Sequence, residues 1–240
     1  MRLRVSQRGE IRIPSRLRVT FRDRSDAGRK LGAQLARFNK TPSVVVLGVP
    51  RGGVPVAAEV ARTLDAPLDI FVVRKLGVPH HEELAFGAIA SGGVQILDAS
   101  VIEHLQVPGR DIHAVIEREA KELERREVAY RGARRASDVS NRVVILVDDG
   151  IATGSSMRAA VEALRRLGPS RIIVAVPVAA PDSIQRLAKV ADEVVCLSAP
   201  EDFSAVGEWY ADFHGTSDEE VTAALQSAAE RIADRANEPR

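Results

Sequence analysis

Three short apolar runs, "VVILV", "RIIVAVPV" and "EVVCL", alternate with two segments of helical periodicity between residues 143 and 197. No other feature constrains the fold as much. The runs are rich in β-branched residues and carry no polar face, so both sides of each must be covered. The first intervening segment places Met157, Ala160, Val161, Leu164 and Leu167 on one face and stops at Gly168-Pro169; the second is "PDSIQRLAKV". Upstream the same order recurs. The helical "SDAGRKLGAQLARF", with Leu31, Leu35 and Phe38 on one face, leads to the strand "SVVVLGV" (43–49). The helical "VPVAAEVARTLDA" and the strand "LDIFVV" (68–73) follow. Strands alternating with helices predict an α/β fold with a doubly wound, mostly parallel sheet.

Other segments interrupt this rhythm. The polar stretch "RKLGVPHHEEL" (74–84) reads as a loop, and "AFGAI" and "GVQIL" around "ASGG" read as a hairpin. A long helix is expected over 111–131. Its "EREAKELERRE" pairs Glu117 with Lys121 and Glu122 with Arg126 at i,i+4, which reads as a solvated face. Residues 1–20 hold six Arg and one Glu, compatible with an edge strand, a flexible arm or translated upstream sequence.

With 34 Lys plus Arg against 33 Asp plus Glu, the net charge of +1 predicts no bulk attraction to nucleic acid or membrane. A polyanion must therefore meet a local site. Nucleic acid is not an expected partner. The single Cys196 lies in an apolar run and reads as core; it excludes an internal disulfide, which suits a reducing compartment. No apolar stretch approaches the ~20 residues of a membrane span, and Arg breaks up the N-terminus where a signal peptide would be apolar. A cytoplasmic protein is expected.

Two turns at strand ends carry the chemistry. After "VVILV" come Asp148 and Asp149, then "GIATGSS" at a helix start. Free backbone N–H groups and the helix dipole favour an anion there; Gly154 permits close approach, and Thr153, Ser155 and Ser156 add hydroxyls. The same residues would serve in a plain capped helix. Paired carboxylates beside such a cradle would repel an anion unless they meet something else. Vicinal hydroxyls or Mg²⁺ both suit them. The turn "PRGG" (50–53) offers a second anion site through the Arg51 guanidinium and the N–H groups of Gly52 and Gly53. A ribose bearing phosphates at both ends satisfies this set.

The stretch "VVILVDDGIATGSS" resembles the phosphoribosyl pyrophosphate (PRPP) signature of type I phosphoribosyltransferases. The resemblance extends over roughly residues 21–222 to bacterial phosphoribosyltransferase-domain proteins that carry "FRDRSDAGRKL", "GVPRGGVPVA", "RKLGVP", "AFGAI" and "AVGEWYADF". It implies a phosphoribosyltransferase domain over 21–222 that includes a C-terminal hood and an inserted long helix. A basic arm (1–20) and a C-terminal helix or tail (223–240) flank it.

It also implies roles. Asp148 and Asp149 would hold the ribose hydroxyls, and Ala152, Thr153, Gly154, Ser155 and Ser156 the 5′-phosphate. Arg51, Gly52, Gly53 and Arg74 would bind pyrophosphate, with a strained or cis peptide in the first loop. Arg74 and Lys75 would open a mobile closing loop, Arg51 and Lys75 would act catalytically, and His80 and His81 are either helpers or exposed loop residues. Mg²⁺ would be held by PRPP oxygens and water, with no direct protein ligand. The implied reaction transfers phosphoribosyl to a nitrogenous base and releases pyrophosphate.

Ala152 stands where 6-oxopurine-using members place an Asp, which disfavours that acceptor class. Phe203, Trp209, Tyr210 and Phe213, four of nine aromatics, lie in the implied hood. Trp209 and Tyr210 would stack on a planar acceptor, or else anchor the tail on the core. The long helix would buttress the loop or form a homo-oligomer interface. A PRPP- or nucleotide-sensing regulator on the same fold, touching nucleic acid through its basic arm, is the alternative. Other nucleotide folds are disfavoured because neither G-x-x-x-x-G-K-[ST] nor G-x-G-x-x-G occurs.

Overall fold

The computed structural model describes residues 2–4, 9–13, 20–79 and 81–237. In chain order the elements begin with β1 (Arg2–Arg4), β2 (Glu10–Arg12), α1 (Arg24–Gln34), β3 (Val44–Gly48), α2 (Gly53–Leu64) and β4 (Leu68–Ile70). Then come β5 (Val73–Val78), β6 (His81–Ala90), β7 (Val94–Leu97), α3 (Ala99–His104) and α4 (Gly109–Arg131). The last are β8 (Val143–Val147), α5 (Ser155–Arg166), β9 (Arg171–Val178), α6 (Pro181–Leu187), β10 (Glu193–Ser198) and α7 (Asp218–Asn237).

The main sheet has the order β1-β2-β10-β9-β8-β3-β4. All its neighbours pair in parallel except β1 with β2. Strand period decides which side chains meet which helices. Val45, Leu47, Val144, Leu146, Ile172 and Val174 pack with Met157, Val161 and Leu164 of α5 and with Ile184 of α6. Their alternates Val44, Val46, Ile145, Val147 and Ile173 pack with Leu31 of α1 and with Val56 and Val60 of α2. The sheet is therefore covered on both faces, as its unbroken apolar strands require. From β3 the chain crosses through α2 to β4 on one side; from β8 it crosses through α5 to β9 on the other. The neighbours β3 and β8 are thus the topological switch point, where a crevice opens outside the strand ends.

A three-stranded antiparallel sheet, β5-β6-β7, stands beside this body. The expected hairpin of "AFGAI" and "GVQIL" is β6 and β7. The polar stretch 74–84, however, is not drawn as a loop: it forms β5 and the start of β6, with an irregular register from Leu76 to Val78. Leu76 and Val78 alternate with its polar residues and pack with Phe86, with Val115 and Leu123 of α4, and with Val221 of α7. Alternation within a short charged run concealed that apolar face.

The tail placed from residue 223 begins inside α7, where Val221, Leu225 and Ala228 are buried at helical spacing. In the N-terminal arm, β2 pairs with β10 and β1 forms the edge of the main sheet, as the edge-strand alternative for residues 1–20 has it. Arg12 lies 2.9 Å from the buried carboxylate of Glu193, which also receives Arg37 and Arg171. The arm residues 5–8 and 14–19 lie outside the described residues. Among the described residues, no helix is long and apolar enough to cross a membrane.

Candidate functional site

The two strand ends at the switch point are packed backbone against backbone. The Val49 amide donates to the Val147 carbonyl at 2.9 Å, and the chain then turns through a cis Pro50–Arg51 peptide into α2. A Cβ on Gly53 would lie 2.7 Å from the Val147 carbonyl oxygen and 2.9 Å from Asp148 Cα. One on Gly52 would collide with the Asp149 carboxylate. Only glycine allows the "PRGG" turn to sit this close to the acidic pair. Gly53→Ala is therefore expected to cost about 1–3 kcal/mol, because the atoms it meets are backbone. That corresponds to a Tm lower by roughly 3–10 °C. Gly109→Ala, with nothing within 4 Å of the new Cβ, is the matched control and should melt as the native protein does.

Asp148 and Asp149 end β8 facing this turn. The Asp149 amide donates to Asp148 Oδ1 at 2.9 Å, and the Tyr210 hydroxyl donates to the Asp149 carbonyl oxygen at 2.5 Å. Arg24, at the start of α1, donates from Nε to Asp149 Oδ2 at 2.8 Å. Burial, reinforced by the neighbouring Asp149 charge, raises the Asp148 pKa well above the usual carboxylate value. Burial also raises that of Asp149, against the opposing pull of Arg24. A pair held this way gains from a ligand that donates hydrogen bonds or brings positive charge. Arg24 was absent from the sequence-derived site residues. It lies inside "FRDRSDAGRKL", but nothing local to that segment shows that it reaches across to Asp149.

The turn after the acidic pair presents exposed Ala152, Thr153, Ser155 and Ser156, with Gly154 at φ 74° capping α5. That φ is costly for any residue with a side chain. The loop is held from behind, where Ser183 Oγ donates to the Ala152 carbonyl at 2.5 Å and Arg186 donates to that of Thr153 at 3.3 Å. Carbonyls are thereby occupied and turned away, while the amides at the start of α5 are left facing outward, as an anion cradle requires. A cleft of about 970 Å³ adjoins this loop; Thr153, Gly154 and Ser155 line it together with Lys75, Arg158 and Arg186. Asp148, Asp149 and Arg51 lie outside it.

Strand geometry separates Arg74 from Lys75. Neighbours on β5 point to opposite faces. Lys75 donates to Ser155 Oγ at 2.7 Å, joining the hydroxyl-rich loop. Arg74 turns the other way and donates to Glu119 of α4 at 2.8 Å and 2.5 Å, so it does not join Arg51. Arg74→Ala is expected to lower stability by about 1–3 kcal/mol, since it strips a charged partner from the nearly buried Glu119. Thermal melting of the variant checks this. Arg51 is exposed, and its guanidinium lies 3.6 Å from Asp218 at the head of α7. An exposed pair of this kind is weak and readily exchanged for a phosphate. His81 opens β6 exposed to solvent, and His80 lies outside the described residues.

The aromatic segment behaves otherwise than a stacking face would. Trp209 is 1% exposed and Tyr210 6%, both packed in the core with Phe21, Leu31 and Leu35. Phe21 donates its amide to the Trp209 carbonyl and accepts that of Ala211, both at 2.8 Å, so the segment is zipped onto the start of the domain. The acceptor role considered for Trp209 and Tyr210 is accordingly replaced by anchoring: neither ring offers a free face. Phe213 is exposed and Phe203 half-buried. Cys196 is fully buried in β10, and desolvation pushes its thiol up to about 12, so it belongs to the core.

Comparison with known proteins adds to this geometry. The model of the phosphoribosyl transferase domain matches residues 80–214, more than half of the chain. The chain belongs to the phosphoribosyl transferase domain family. Two curated Mycobacterium tuberculosis proteins, from strains CDC 1551 and H37Rv, each bear the name "Putative phosphoribosyl transferase". Each is 48% identical over 208 residues, 87% of this chain and 47% of the relative. The chain thus spans about half the length of those curated relatives. A crystal structure of TT1426 from Thermus thermophilus is 43% identical. It superposes with a TM-score of 0.77, covering 87% of this chain and 99% of that one. Arg24, Arg51 and Lys75 of this phosphoribosyl transferase domain lie before the matched segment 80–214.

Proposed function

We propose that this chain transfers a phosphoribosyl group from Mg-PRPP to a nitrogenous base and releases pyrophosphate. The observation that carries the proposal is the switch point itself. There a half-buried carboxylate pair stands between the turn that carries Arg51 and the start of α5, where Lys75 bonds Ser155. A doubly phosphorylated ribose meets each part with its complement. Asp148 and Asp149 accept hydrogen bonds from the ribose hydroxyls. The loop from Ala152 to Ser156, with Lys75 on Ser155, receives the 5′-phosphate. Arg51 and the Gly52 amide receive the pyrophosphate; the Gly53 amide is already donated to the Val49 carbonyl at 3.0 Å, so Gly53 serves by its lack of a side chain.

In the reaction the C1′–oxygen bond to pyrophosphate breaks and a C1′–nitrogen bond to the base forms on the opposite face. The base gives up its nitrogen proton, which leaves with the pyrophosphate or passes to water. Positive charge builds on the ribose ring as the leaving group departs, and Arg51 takes up part of the negative charge that develops. The carboxylates of Asp148 and Asp149 would suit a Mg²⁺ brought by the substrate, which they would hold indirectly. Among the described residues no group of three or more His, Cys, Asp or Glu could form a protein cage. Mg²⁺ bound with PRPP supplies charge neutralisation at the pyrophosphate. Ala152 brings no carboxylate to the base, which disfavours 6-oxopurine acceptors. The reading as a nucleic-acid-binding sensor receives less support, because Arg12 of the basic arm is engaged by Glu193.

Calorimetric titration with PRPP tests the proposal. Saturable, Mg²⁺-dependent binding is expected, followed by pyrophosphate release with one class of base in a screen. Folded protein that binds no PRPP overturns it. Lys75→Ala is expected to weaken PRPP binding about tenfold, the loss of one charge-assisted contact, with Tm unchanged.

A further inference from the structure

The guanidinium of Arg24 bridges the acidic pair and the hood. One nitrogen donates to Asp149 Oδ2 at 2.8 Å and a second to the His214 carbonyl at 2.6 Å. Its Cζ lies 4.0 Å from the centroid of the Phe213 ring, and that ring lies 5.0 Å from Tyr210, whose hydroxyl holds the Asp149 carbonyl. The Arg24 and Asp149 side chains are only 11% and 16% exposed, so the pair is poorly screened by solvent. A planar fork with fixed donor directions cannot turn toward one acceptor without leaving the other.

We infer that Arg24 is a positioning residue that makes the Asp149 carboxylate and the hood segment Tyr210–His214 one mechanical unit. This rests on the function proposed above. Asp149 is held in one orientation for the ribose hydroxyl it accepts, and any shift of that carboxylate is transmitted through Arg24 to Phe213 and His214. Occupancy of the ribose site and placement of the segment Tyr210–His214 are thereby linked. Arg24 itself touches no reacting atom in this arrangement.

Hydrogen exchange of the unliganded protein tests the link without PRPP. The amides of Ala211 and Asp212, which donate to the Phe21 and Arg22 carbonyls, report on the segment. Arg24→Gln is expected to speed their exchange about tenfold. Asp149→Ala, which removes the acceptor for Arg24, should do so as well, and the double variant should go no further than the faster single. Arg24→Lys, which keeps the charge and loses the fork, should exchange as Arg24→Gln does. Unchanged exchange in Arg24→Gln, or additive effects in the double variant, overturns the inference. Should Arg24→Gln fail to fold, Phe213→Leu breaks the same link from the other side and must show the same non-additivity with Asp149→Ala.

Mg-PRPP titration of the same proteins then separates the two claims. Native protein that binds no PRPP overturns the proposed function, while the exchange result still decides the link. Where native protein binds, Arg24→Gln should weaken PRPP about tenfold through the loss of Asp149's orientation. Native-like affinity in that variant overturns the positioning role.

Discussion

Truncating Trp209 to Ala is expected to destabilise the domain by about 3–5 kcal/mol, the range for removing a large aromatic from a packed core. Its Tm should fall by roughly 10 °C or more. The indole is the sole tryptophan of the chain and lies among Phe21, Leu31, Leu35 and Val178, at the seam between the start of the domain and its C-terminal segment. An apolar void there would lose contacts on both sides of the seam. Trp209→Phe, which keeps most of the volume, should recover more than half of the loss. The measurement is thermal unfolding followed by circular dichroism. A Trp209→Ala variant that melts like the native protein, yet binds its base poorly, would return Trp209 to the acceptor site.

Asp149→Asn is expected to weaken PRPP binding roughly 10- to 100-fold, the worth of about 1.5–3 kcal/mol for a hydrogen bond to a charged group. The amide oxygen can still accept from Arg24, so the change is in charge rather than shape. The fold should gain rather than lose. In the native protein the pair titrates above the usual carboxylate value of 3.8 because it is buried. As pH rises from that value the unfolded chain ionises first, so native stability declines until the folded pair ionises too. Removing one carboxyl removes part of that decline. Relative to native protein, Asp149→Asn should be more stable at neutral pH and no more stable in acid below 3.8. PRPP affinity of the native protein should rise with pH over the same interval, because ribose hydroxyls bind the ionised pair. Calorimetry and melting at several pH values check both signs. Unaltered PRPP affinity in the variant would remove Asp149 from the ribose site.

The gain and the loss at Asp149 express one physical fact. Two half-buried carboxylates stand side by side with the Arg24 guanidinium bonded to only one of them, an arrangement that costs stability and that a ligand can relieve. Functional sites commonly carry such a burden.

How much of this was legible beforehand follows from the range of the interactions involved. The strands 143–147 and 171–178 and the helix α5 are each specified by residues within a turn or two of one another, and the sequence located them closely. The same holds for the acidic pair and the turn at Gly154, where one segment supplies carboxylates, amides and hydroxyls together. Arg74 and Lys75 show where local reading stops. Both are cations in one polar run, and only the strand conformation of β5 sends one to Glu119 and the other to Ser155. The fate of Trp209 was equally undecided, because an aromatic near the end of a chain is compatible with a core or with a ligand face until its neighbours are known.

By itself, then, the sequence determined the alternation of strands and helices and the chemistry carried at two strand ends, since periodicity and turn residues act over a few positions. Tertiary structure alone decided that β3 and β8 lie side by side, so that Gly53 meets Asp148, and that Arg24, 125 positions before Asp149, closes on its carboxylate. Those contacts depend on which faces the sheet and helices bury against one another, and no local pattern encodes the partner of a surface that is completed only when the chain has packed.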